Sequence, residues 1–341
     1  TLLHDRLTIT VEGQLFYHVL QALPYLVNYP HECVEQTLNR FLSTGIVSSL
    51  YQRYPAVAKA AETFSERDTA WEKWDAEDPN RQMALVETPW LQTARGGKTD
   101  LPLINVLDPK IAKAQRDTAI AKLQKNQNAS GAFPWFPGGP DSPFMTMYLL
   151  YGFAKAQEFE VEIPRTMVGN ACRYLGDHYR GYYHSKLDTA DFGVEFLVFL
   201  NYVLSCFPDE SWYKPGFSAA ERAEMLAVTF RHWRKVSPYC KSMLALTLHR
   251  ENRPADAKLV MDSIMDSALT KRDQGTFWAP EDRGWLWYND SIESHAMILR
   301  ALMELQPDDE RTDGLALWLF LNKKMNHWKS TRTTAEVMYA L

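Results

Sequence analysis

The sequence predicts an all-α fold, and three observations carry this prediction. Helix start signals recur along the chain, where a capping side chain or a proline precedes an apolar stretch of helical length. Alternation of apolar and polar residues is nearly absent, so few strands are expected. The most apolar helices recur at roughly 40–50 residues, which is the spacing of helix-pair repeats.

Local signals mark several helix starts. Pro109, preceded by Asp108, and Pro254 occupy first-turn positions, where a proline lacks an N–H that would be unpaired anyway. Capping boxes pair residues three apart, namely 218 with 221, 290 with 293 and 333 with 336. These signals predict helices over 109–125, 219–233, 254–268 and 291–305, and a last helix that begins at 333.

The helices alternate between two kinds. Apolar helices with small residues are expected over 145–157, 192–206, 240–250, 292–305 and 333–341. Between them, more amphipathic helices are expected over 109–125, 164–179, 219–233, 254–268 and 309–324. Adding 13–28 and 31–51 gives twelve helices in six pairs. Helix pairs of this period stack into an open solenoid or close into a ring, and an apolar inner set favours the closed α/α toroid.

Residues 13–341 are therefore predicted to form one toroid domain, with residues 1–12 as a linker or edge strand from a preceding β domain. A polar, charged segment at about 55–108 breaks the period and is predicted to be an insertion that packs on the rim. Because the chain ends at Leu341 in mid-pattern, we expect it to be a piece of a longer polypeptide.

Composition excludes several classes of partner. The chain of 341 residues has a net charge of −5, so there is no global electrostatic case for nucleic acid. No stretch reaches the ~18 uninterrupted apolar residues of a membrane-spanning helix. The histidines lack metal-ligand spacing and no phosphate-binding glycine loop is present, so neither a metal nor a cofactor is expected. The four cysteines do not form a disulfide scaffold, although Cys206 and Cys240 remain a possible pair.

The sharpest local feature is the segment Tyr29-Pro-His-Glu-Cys33-Val-Glu-Gln36. Pro30 places Cys33 near a helix N-terminus, where unpaired N–H groups and the helix dipole favour a thiolate. Gln36 lies three residues later on the same face of the first turns. A thiolate that faces a carboxamide can form an acyl–sulfur bond with loss of ammonia, which would give an internal thioester. The alternative is that Cys33 is simply a small core residue.

Cys33-Val-Glu-Gln36 resembles the Cys-x-Glu-Gln motif of the thioester domain of α2-macroglobulins and complement components. Three further blocks are similar to segments of that family and follow in the same order, namely residues 131–149, 287–295 and 328–335. The resemblance implies an α/α toroid of six helix pairs and a thioester between Cys33 and Gln36. His31, Glu32 and Val34 depart from the vertebrate pattern and fit a bacterial branch better.

Other side chains are candidates for the environment of the thioester. Tyr29, Trp135 and Phe136 would form an aromatic shield that excludes water, or else pack as ordinary loop residues. Glu35 would tune the local hydrogen bonding, or else be a solvated helix residue. Glu32 is expected to raise the pKa of the neighbouring thiol unless its side chain points away.

The resemblance also implies a function. Complement forms that acylate hydroxyls use a histidine in the loop corresponding to residues 131–144, and this loop contains none here, so amines are the expected target. A protease inhibitor, rather than an enzyme, would then capture target proteases through their lysine amines. It would act with neighbouring macroglobulin-like domains of the same full-length chain, in the periplasm or at the cell envelope.

Two other hypotheses remain open. The α/α toroid also hosts glycan-active enzymes, which need two carboxylates in one cleft. The candidate carboxylates are Asp141, Asp188, Asp191, Glu281, Asp282 and Asp290. The second alternative is a structural toroid whose thioester is absent or hydrolysed, because the domain that normally shields the bond lies outside this chain.

Overall fold

The computed structural model describes residues 19–29, 31–59, 106–107, 109–187, 193–278, 290–324 and 327–341. The helices bounded within them are α1 (Leu23–Val27), α2 (Val34–Arg53), α3 (Pro109–Asn126), α4 (Pro143–Glu158), α5 (Arg165–His178), α6 (Val194–Ser205), α7 (Ala219–Arg231), α8 (Pro238–Arg250), α9 (Pro254–Met265), α10 (Ser291–Leu305), α11 (Arg311–Leu321) and α12 (Thr331–Ala340).

Within the described residues, short helical turns and one hairpin lie between these helices. A π-helical turn at Tyr179–Tyr183 extends α5, and 3-10 turns lie at His184–Lys186, Glu210–Trp212 and Trp233–Lys235. The strands β1 (Leu269–Lys271) and β2 (Gly275–Phe277) pair in antiparallel fashion, with Leu269 opposite Phe277. This hairpin follows α9 and was not expected from the sequence pattern. The prediction of an all-α fold is confirmed.

The even-numbered helices form a closed inner ring. Within the described residues, α2 packs on α4, α4 on α6, α6 on α8, α8 on α10, α10 on α12, and α12 returns to α2. The odd-numbered helices lie outside, each against the inner helix next to it along the chain. The contacts favour the closed toroid over the open solenoid, because an open stack would leave its first and last inner helices apart.

Burial distinguishes the two sets of helices as the sequence pattern predicts. In α4, an inner helix, every residue from Met145 to Ala156 is buried. In α3, an outer helix, the buried positions form one stripe of Ala112, Ala119 and Leu123. A helix that is apolar on all sides is stable only when it is surrounded, whereas a single apolar stripe needs one neighbour.

The capping box ahead of α7 is present as predicted. Ser218 Oγ accepts the Glu221 N–H at 3.2 Å, and the Glu221 carboxylate accepts the Ser218 N–H at 2.8 Å. Ahead of α10 only half of the box forms. Asp290 accepts the Ile292 N–H at 2.8 Å, whereas Glu293 is buried in the core.

The box predicted for the last helix is wrong. The helix begins at Thr331, and Ser330 Oγ caps it by accepting the Thr333 N–H at 3.1 Å. Glu336 is instead buried, where its carboxylate accepts the Tyr151 hydroxyl at 2.8 Å. The spacing of a capping box therefore coincides here with residues that serve the core.

Buried charged groups lie where the inner helices meet. Arg332 of α12 pairs with Glu293 of α10, and Thr333 donates to the same carboxylate at 3.0 Å. Buried charges are tolerated when they are paired and hydrogen-bonded. Burial, together with the negative charges of Glu336 and Asp290, raises the pKa of Glu293 to about 7 even though Arg332 opposes the shift.

Several predicted features lie outside the described residues. They are the linker or strand at 1–12, residues 13–18 of the first helix, most of the 55–108 insertion, and two residues used in the helix-start argument, Pro30 and Asp108. Residues 55–59, at the start of the predicted insertion, are helical. No helix among the described residues is long and apolar enough to cross a membrane.

The first prediction concerns a close backbone approach. A Cβ on Gly216 would lie 1.9 Å from the Cys172 carbonyl oxygen in α5, whereas a Cβ on Gly181 would meet nothing within 4 Å. Gly216→Ala is expected to lower the free energy of unfolding by about 1–3 kcal/mol, because backbone must shift to admit the methyl group. Gly181→Ala should change it by less than ~0.5 kcal/mol. Urea unfolding followed by circular dichroism measures both, and equal midpoints would contradict the packing.

The second prediction concerns pH. The pKa of Glu293 is about 7 in the folded chain against an ordinary 4.5, so the folded state holds the proton more tightly between these values. Its contribution to stability is present below pH 4.5 and is lost as pH rises through about 7. Glu293→Gln should therefore flatten the fall in unfolding free energy across this window, although it lowers stability overall.

Urea unfolding at a series of pH values across the window measures the slope. Glu310→Gln removes an exposed glutamate and serves as the control, which should keep the wild-type slope. A wild-type slope in the Glu293 variant would show that this carboxyl does not titrate between the two values.

Candidate functional site

Cys33 is the N-cap residue of α2, and Gln36 is the third residue of that helix. The Cys33 N–H donates to the Gln36 side-chain oxygen at 3.1 Å, and the Gln36 backbone N–H faces the Cys33 side chain. Together they form a reciprocal capping box in which cysteine takes the usual place of serine or threonine. The box holds the sulfur and the carboxamide in one helical turn, which is the arrangement that their spacing predicts.

The loop between α3 and α4 lies against the first turn of α2. The Val34 N–H donates to the Trp135 carbonyl oxygen at 3.0 Å, which satisfies one of the unpaired donors of the helix N-terminus. The Trp135 ring stacks on Phe144, with ring centroids 6.1 Å apart. Trp135 therefore reaches the motif through its backbone, while its ring anchors the loop to α4.

The aromatic residues proposed as a shield have different positions. Tyr29 is half-buried and packs edge-on against Tyr25 and His31, with centroid distances of 5.5 and 5.8 Å. The nearby charges of Glu35 and Cys33 contribute to a raised pKa of Tyr29, after burial, so this tyrosine lies close to both. Phe136 is 64% exposed and presents its ring at the surface.

Glu32 does not face the thiol, contrary to one expectation from the sequence. Its carboxylate is exposed and pairs with Lys122 of α3 at 2.7 Å and with Arg40 of α2 at 3.0 Å. These hydrogen bonds lower the pKa of Glu32. Glu32 thus ties the chain ahead of Cys33 to two helices.

Glu35 is the carboxylate that faces the thiol. It is only 4% exposed, and its Oε2 accepts the Cys33 S–H at 3.7 Å. Thr331 of α12 donates to both carboxylate oxygens, at 2.9 and 3.1 Å, and Asn39 donates to Oε1. Burial raises the pKa of Glu35, although these hydrogen bonds and the charge of Arg332 oppose the shift. Glu35 is therefore a buried, hydrogen-bonded group and not a solvated helix residue.

The thiol is more basic than the sequence predicts. Burial, followed by the charge of Glu35, raises the pKa of Cys33 to about 11. The backbone N–H groups of Glu35 and Gln36 lower it, as expected at a helix N-terminus, but by less. The expectation of a favoured thiolate is therefore reversed, because desolvation outweighs the helix terminus at this site.

The arrangement suits attack of the sulfur on the Gln36 carboxamide. A hydrogen bond from the Cys33 N–H polarises the side-chain carbonyl and would stabilise negative charge on its oxygen during attack. The nucleophile, the carbonyl carbon and the hydrogen-bond donor all belong to residues three apart, so little conformational entropy is lost in bringing them together.

The other candidate groups do not form a second site among the described residues. Asp141 is exposed and accepts Asn128 at 2.7 Å in the α3–α4 loop. Asp290 caps α10 and pairs with Lys329 at 2.6 Å. The remaining four carboxylates proposed for glycan chemistry lie outside the described residues. No metal-binding cluster of histidine, cysteine and acidic side chains occurs in the described ranges.

The cysteines remain thiols. None of the four is disulfide-bonded, and all lie within the described residues. Cys172 and Cys240 are buried, and burial raises the pKa of each. Cys206 is half-buried, and its sulfur accepts a hydrogen bond from Arg250 at 3.1 Å. The possible pairing of Cys206 with Cys240 does not occur in this structure.

Sequence reasoning missed the contribution of α12 to the site. Thr331 is separated from Glu35 by 296 positions, so no local pattern connects them. The available signal was the segment from Trp328 to Ala335, which resembles the last inner helix of the thioester domain. In a closed ring the last inner helix must lie beside the first.

A scan against protein-family models and a search of curated protein sequences return no match. Solved structures of bacterial α2-macroglobulins share the fold. A fragment of the Escherichia coli protein, from domain MG7 to the C-terminus, is 18% identical with a TM-score of 0.57 and covers 94% of this chain. Salmonella α2-macroglobulin reacted with methylamine is 15% identical, with a TM-score of 0.57 over 95% of this chain.

A third structure, trypsin-activated α2-macroglobulin from Escherichia coli, is 14% identical with a TM-score of 0.52 over 94% of this chain. This chain spans 41% of the first structure, 17% of the second and 18% of the third. It is therefore similar to one part of much longer proteins.

The third prediction concerns the link between α12 and Glu35. Thr331→Val is expected to lower the free energy of unfolding by about 1–3 kcal/mol, because it removes a donor from a buried carboxylate. Thr118→Val is the matched control, since this exposed threonine donates only to the Ala114 carbonyl within its own helix. It should change stability by less than ~0.5 kcal/mol. Urea unfolding of both variants measures the effect. Equal free energies of unfolding for the two variants would contradict the link between α12 and Glu35.

Proposed function

We propose that this chain is the thioester domain of a bacterial α2-macroglobulin-like protein and that Cys33 and Gln36 form an internal thioester. The observation that carries the proposal is the reciprocal contact of Cys33 with Gln36 at the first turn of α2. It occurs in a fold shared with bacterial α2-macroglobulins. The Salmonella α2-macroglobulin structure is of the protein reacted with methylamine, which supports an amine as the acyl acceptor here too.

In the proposed reaction an amine nitrogen attacks the Gln36 acyl carbon and the Cys33 sulfur leaves as the thiol. The new bond is an amide, so the captured molecule stays covalently attached to Gln36. The loop from Gly131 to Phe144 contains no histidine, and this supports direct reaction with amines over relay to hydroxyl groups.

The physiological target in this proposal is a lysine amine of a protease. The Escherichia coli α2-macroglobulin with a similar fold was activated by trypsin, and this supports a protease as the partner here. The chain would then act as part of a broad-spectrum inhibitor that is consumed by one reaction rather than as an enzyme. Neighbouring macroglobulin-like domains would supply the segment that the protease cleaves, in the periplasm or at the cell envelope.

The exposure of the site supports a role for a covering domain. Cys33 is 9% exposed, whereas Phe136 on the adjacent loop is 64% exposed. A neighbouring domain that rests on Phe136 would exclude water from the thioester until a rearrangement uncovers it. The amine would then reach the acyl carbon from the face that the domain had covered.

A second candidate is a toroid that never forms the bond. The observation in its favour is the burial of Cys33, which raises the pKa of the thiol to about 11 and leaves little thiolate at neutral pH. In this case the motif would serve only as the N-terminal cap of α2.

The fourth prediction separates these candidates by intact-mass analysis. A formed thioester makes the purified chain lighter by one ammonia, and methylamine should add across the bond and release one thiol. Cys33→Ala should lose no ammonia and should not react with methylamine. Cys206→Ala, which removes a half-buried thiol, should behave as wild type. Full mass and a free Cys33 in the wild-type chain would reject the thioester.

Capture is tested in the full-length protein. Incubation with trypsin should give a covalent conjugate with the wild-type sequence and none with Cys33→Ala. Equal conjugation by both proteins would show that another group captures the protease.

A further inference from the structure

We propose that the Glu35 carboxylate takes the proton from the Cys33 thiol as the sulfur attacks the Gln36 carboxamide, and returns it to the departing nitrogen. This inference rests on the proposed thioester and assigns the group that moves the proton while the bond forms. It also gives Glu35 a chemical role beyond its contacts in the core.

Glu35 is placed beside the thiol from which it would take the proton. Glu35 lies between Cys33 and Gln36 in sequence, yet its side chain is buried and its Oε2 accepts a hydrogen bond from the Cys33 S–H at 3.7 Å. The other acidic residue beside the cysteine, Glu32, is exposed and paired with Lys122 and Arg40. The structure thus separates the two glutamates into one that faces the thiol and one that does not.

The hydrogen bonds around Glu35 keep it in place as a proton acceptor. Thr331 and Asn39 donate to its oxygens, and the S–H of Cys33 is a third donor. All three interactions suit an ionised carboxylate, which has only acceptor positions. Because Thr331 belongs to the last inner helix, the orientation of Glu35 depends on ring closure.

Attack by the Cys33 sulfur needs a base. The pKa of the Cys33 thiol is raised to about 11, so spontaneous ionisation at neutral pH supplies little thiolate. Burial also raises the pKa of Glu35, which makes this carboxylate a better base than an exposed one. Arg332 of α12 is a charged group that interacts with Glu35. Four tyrosines also interact electrostatically with Glu35, namely Tyr25, Tyr29, Tyr148 of α4 and Tyr339 of α12.

The step balances without an oxidant or cofactor. The Cys33 sulfur forms a bond to the Gln36 Cδ as the S–H proton passes to Glu35. The tetrahedral intermediate collapses, the Cδ–N bond breaks, and Glu35 gives the proton to the departing nitrogen, which leaves as ammonia. The carboxylate is restored and nothing is oxidised or reduced. In the reverse sense, ammonia opens the thioester and restores the carboxamide and the thiol.

This reversal provides the experiment. The wild-type chain is treated with concentrated ammonia, which restores the Gln36 carboxamide, and is then desalted so that loss of ammonia can be followed by intact mass. Glu35→Gln is expected to form the thioester roughly 100-fold more slowly than the wild-type chain, which is the usual scale of general acid–base catalysis. Glu310→Gln, which removes an exposed glutamate outside the site, is the control and should close the thioester at the wild-type rate.

The second readout is the rate at which iodoacetamide alkylates Cys33 in the folded chain at pH 8. Ammonia buffer keeps the thioester open, and the alkylated fraction is measured on the peptide that contains Cys33. Removing the facing negative charge should make the thiol easier to ionise, so Glu35→Gln should be alkylated faster than wild type. A purely electrostatic role would then give faster ring closure as well. Faster alkylation with slower closure is the signature of proton transfer by Glu35.

The outcomes are distinct. Closure by Glu35→Gln at or above the wild-type rate overturns the proton-transfer role and leaves the thioester intact. If the wild-type chain never loses ammonia, both the thioester and this role are overturned. If Glu35→Gln does not fold, Glu35→Asp replaces it, because its shorter side chain withdraws the carboxylate from the sulfur while keeping the charge. Slow closure by Glu35→Asp supports the role, and closure at the wild-type rate overturns it.

Discussion

The contact between α12 and α2 is the constraint on which the rest of the structure depends. It joins the last inner helix to the first and so turns a row of helix pairs into a ring. At its polar centre Thr331 donates to Glu35, and one residue later Arg332 enters the buried pair with Glu293 of α10. One short segment of α12 therefore contacts both the cysteine motif and the neighbouring inner helix. An open solenoid would leave Glu35 without the donor that α12 supplies.

The contact with α12 is one of several that hold the cysteine motif at the start of α2. A helix N-terminus usually frays because its first N–H groups have no partners within the helix. Here the Trp135 carbonyl accepts the Val34 N–H, the Cys33–Gln36 box uses two further donors, and Glu32 ties the preceding segment to Lys122. The sulfur and the carboxamide are consequently held by three separate elements, namely the α3–α4 loop, the outer helix α3 and the inner helix α12.

The sequence predicts the architecture well because the architecture repeats. Apolar helices at a regular spacing identify the inner set, and first-turn prolines and capping boxes place several starts within a few residues, as at Ala219 and Ser291. Prediction fails where one residue type serves two purposes. Glu293 and Glu336 occupy capping-box positions but are buried, and only the ring shows why. Likewise, Glu32 and Glu35 are equivalent candidates in sequence, and tertiary contacts alone decide which one faces the thiol.

The raised pKa of Cys33 disfavours the thiolate, yet it would suit the proposed thioester once that bond had formed. A thiol that ionises readily makes a good nucleophile, but it also makes a good leaving group, and a thioester to such a thiol is easily hydrolysed. Burial, the main cause of the shift to about 11, makes the sulfur a poorer leaving group for as long as the site stays closed. On exposure to water that contribution disappears and departure of the sulfur becomes easier. The same desolvation that calls for a base during bond formation would therefore protect the bond afterwards and release its reactivity when the site opens.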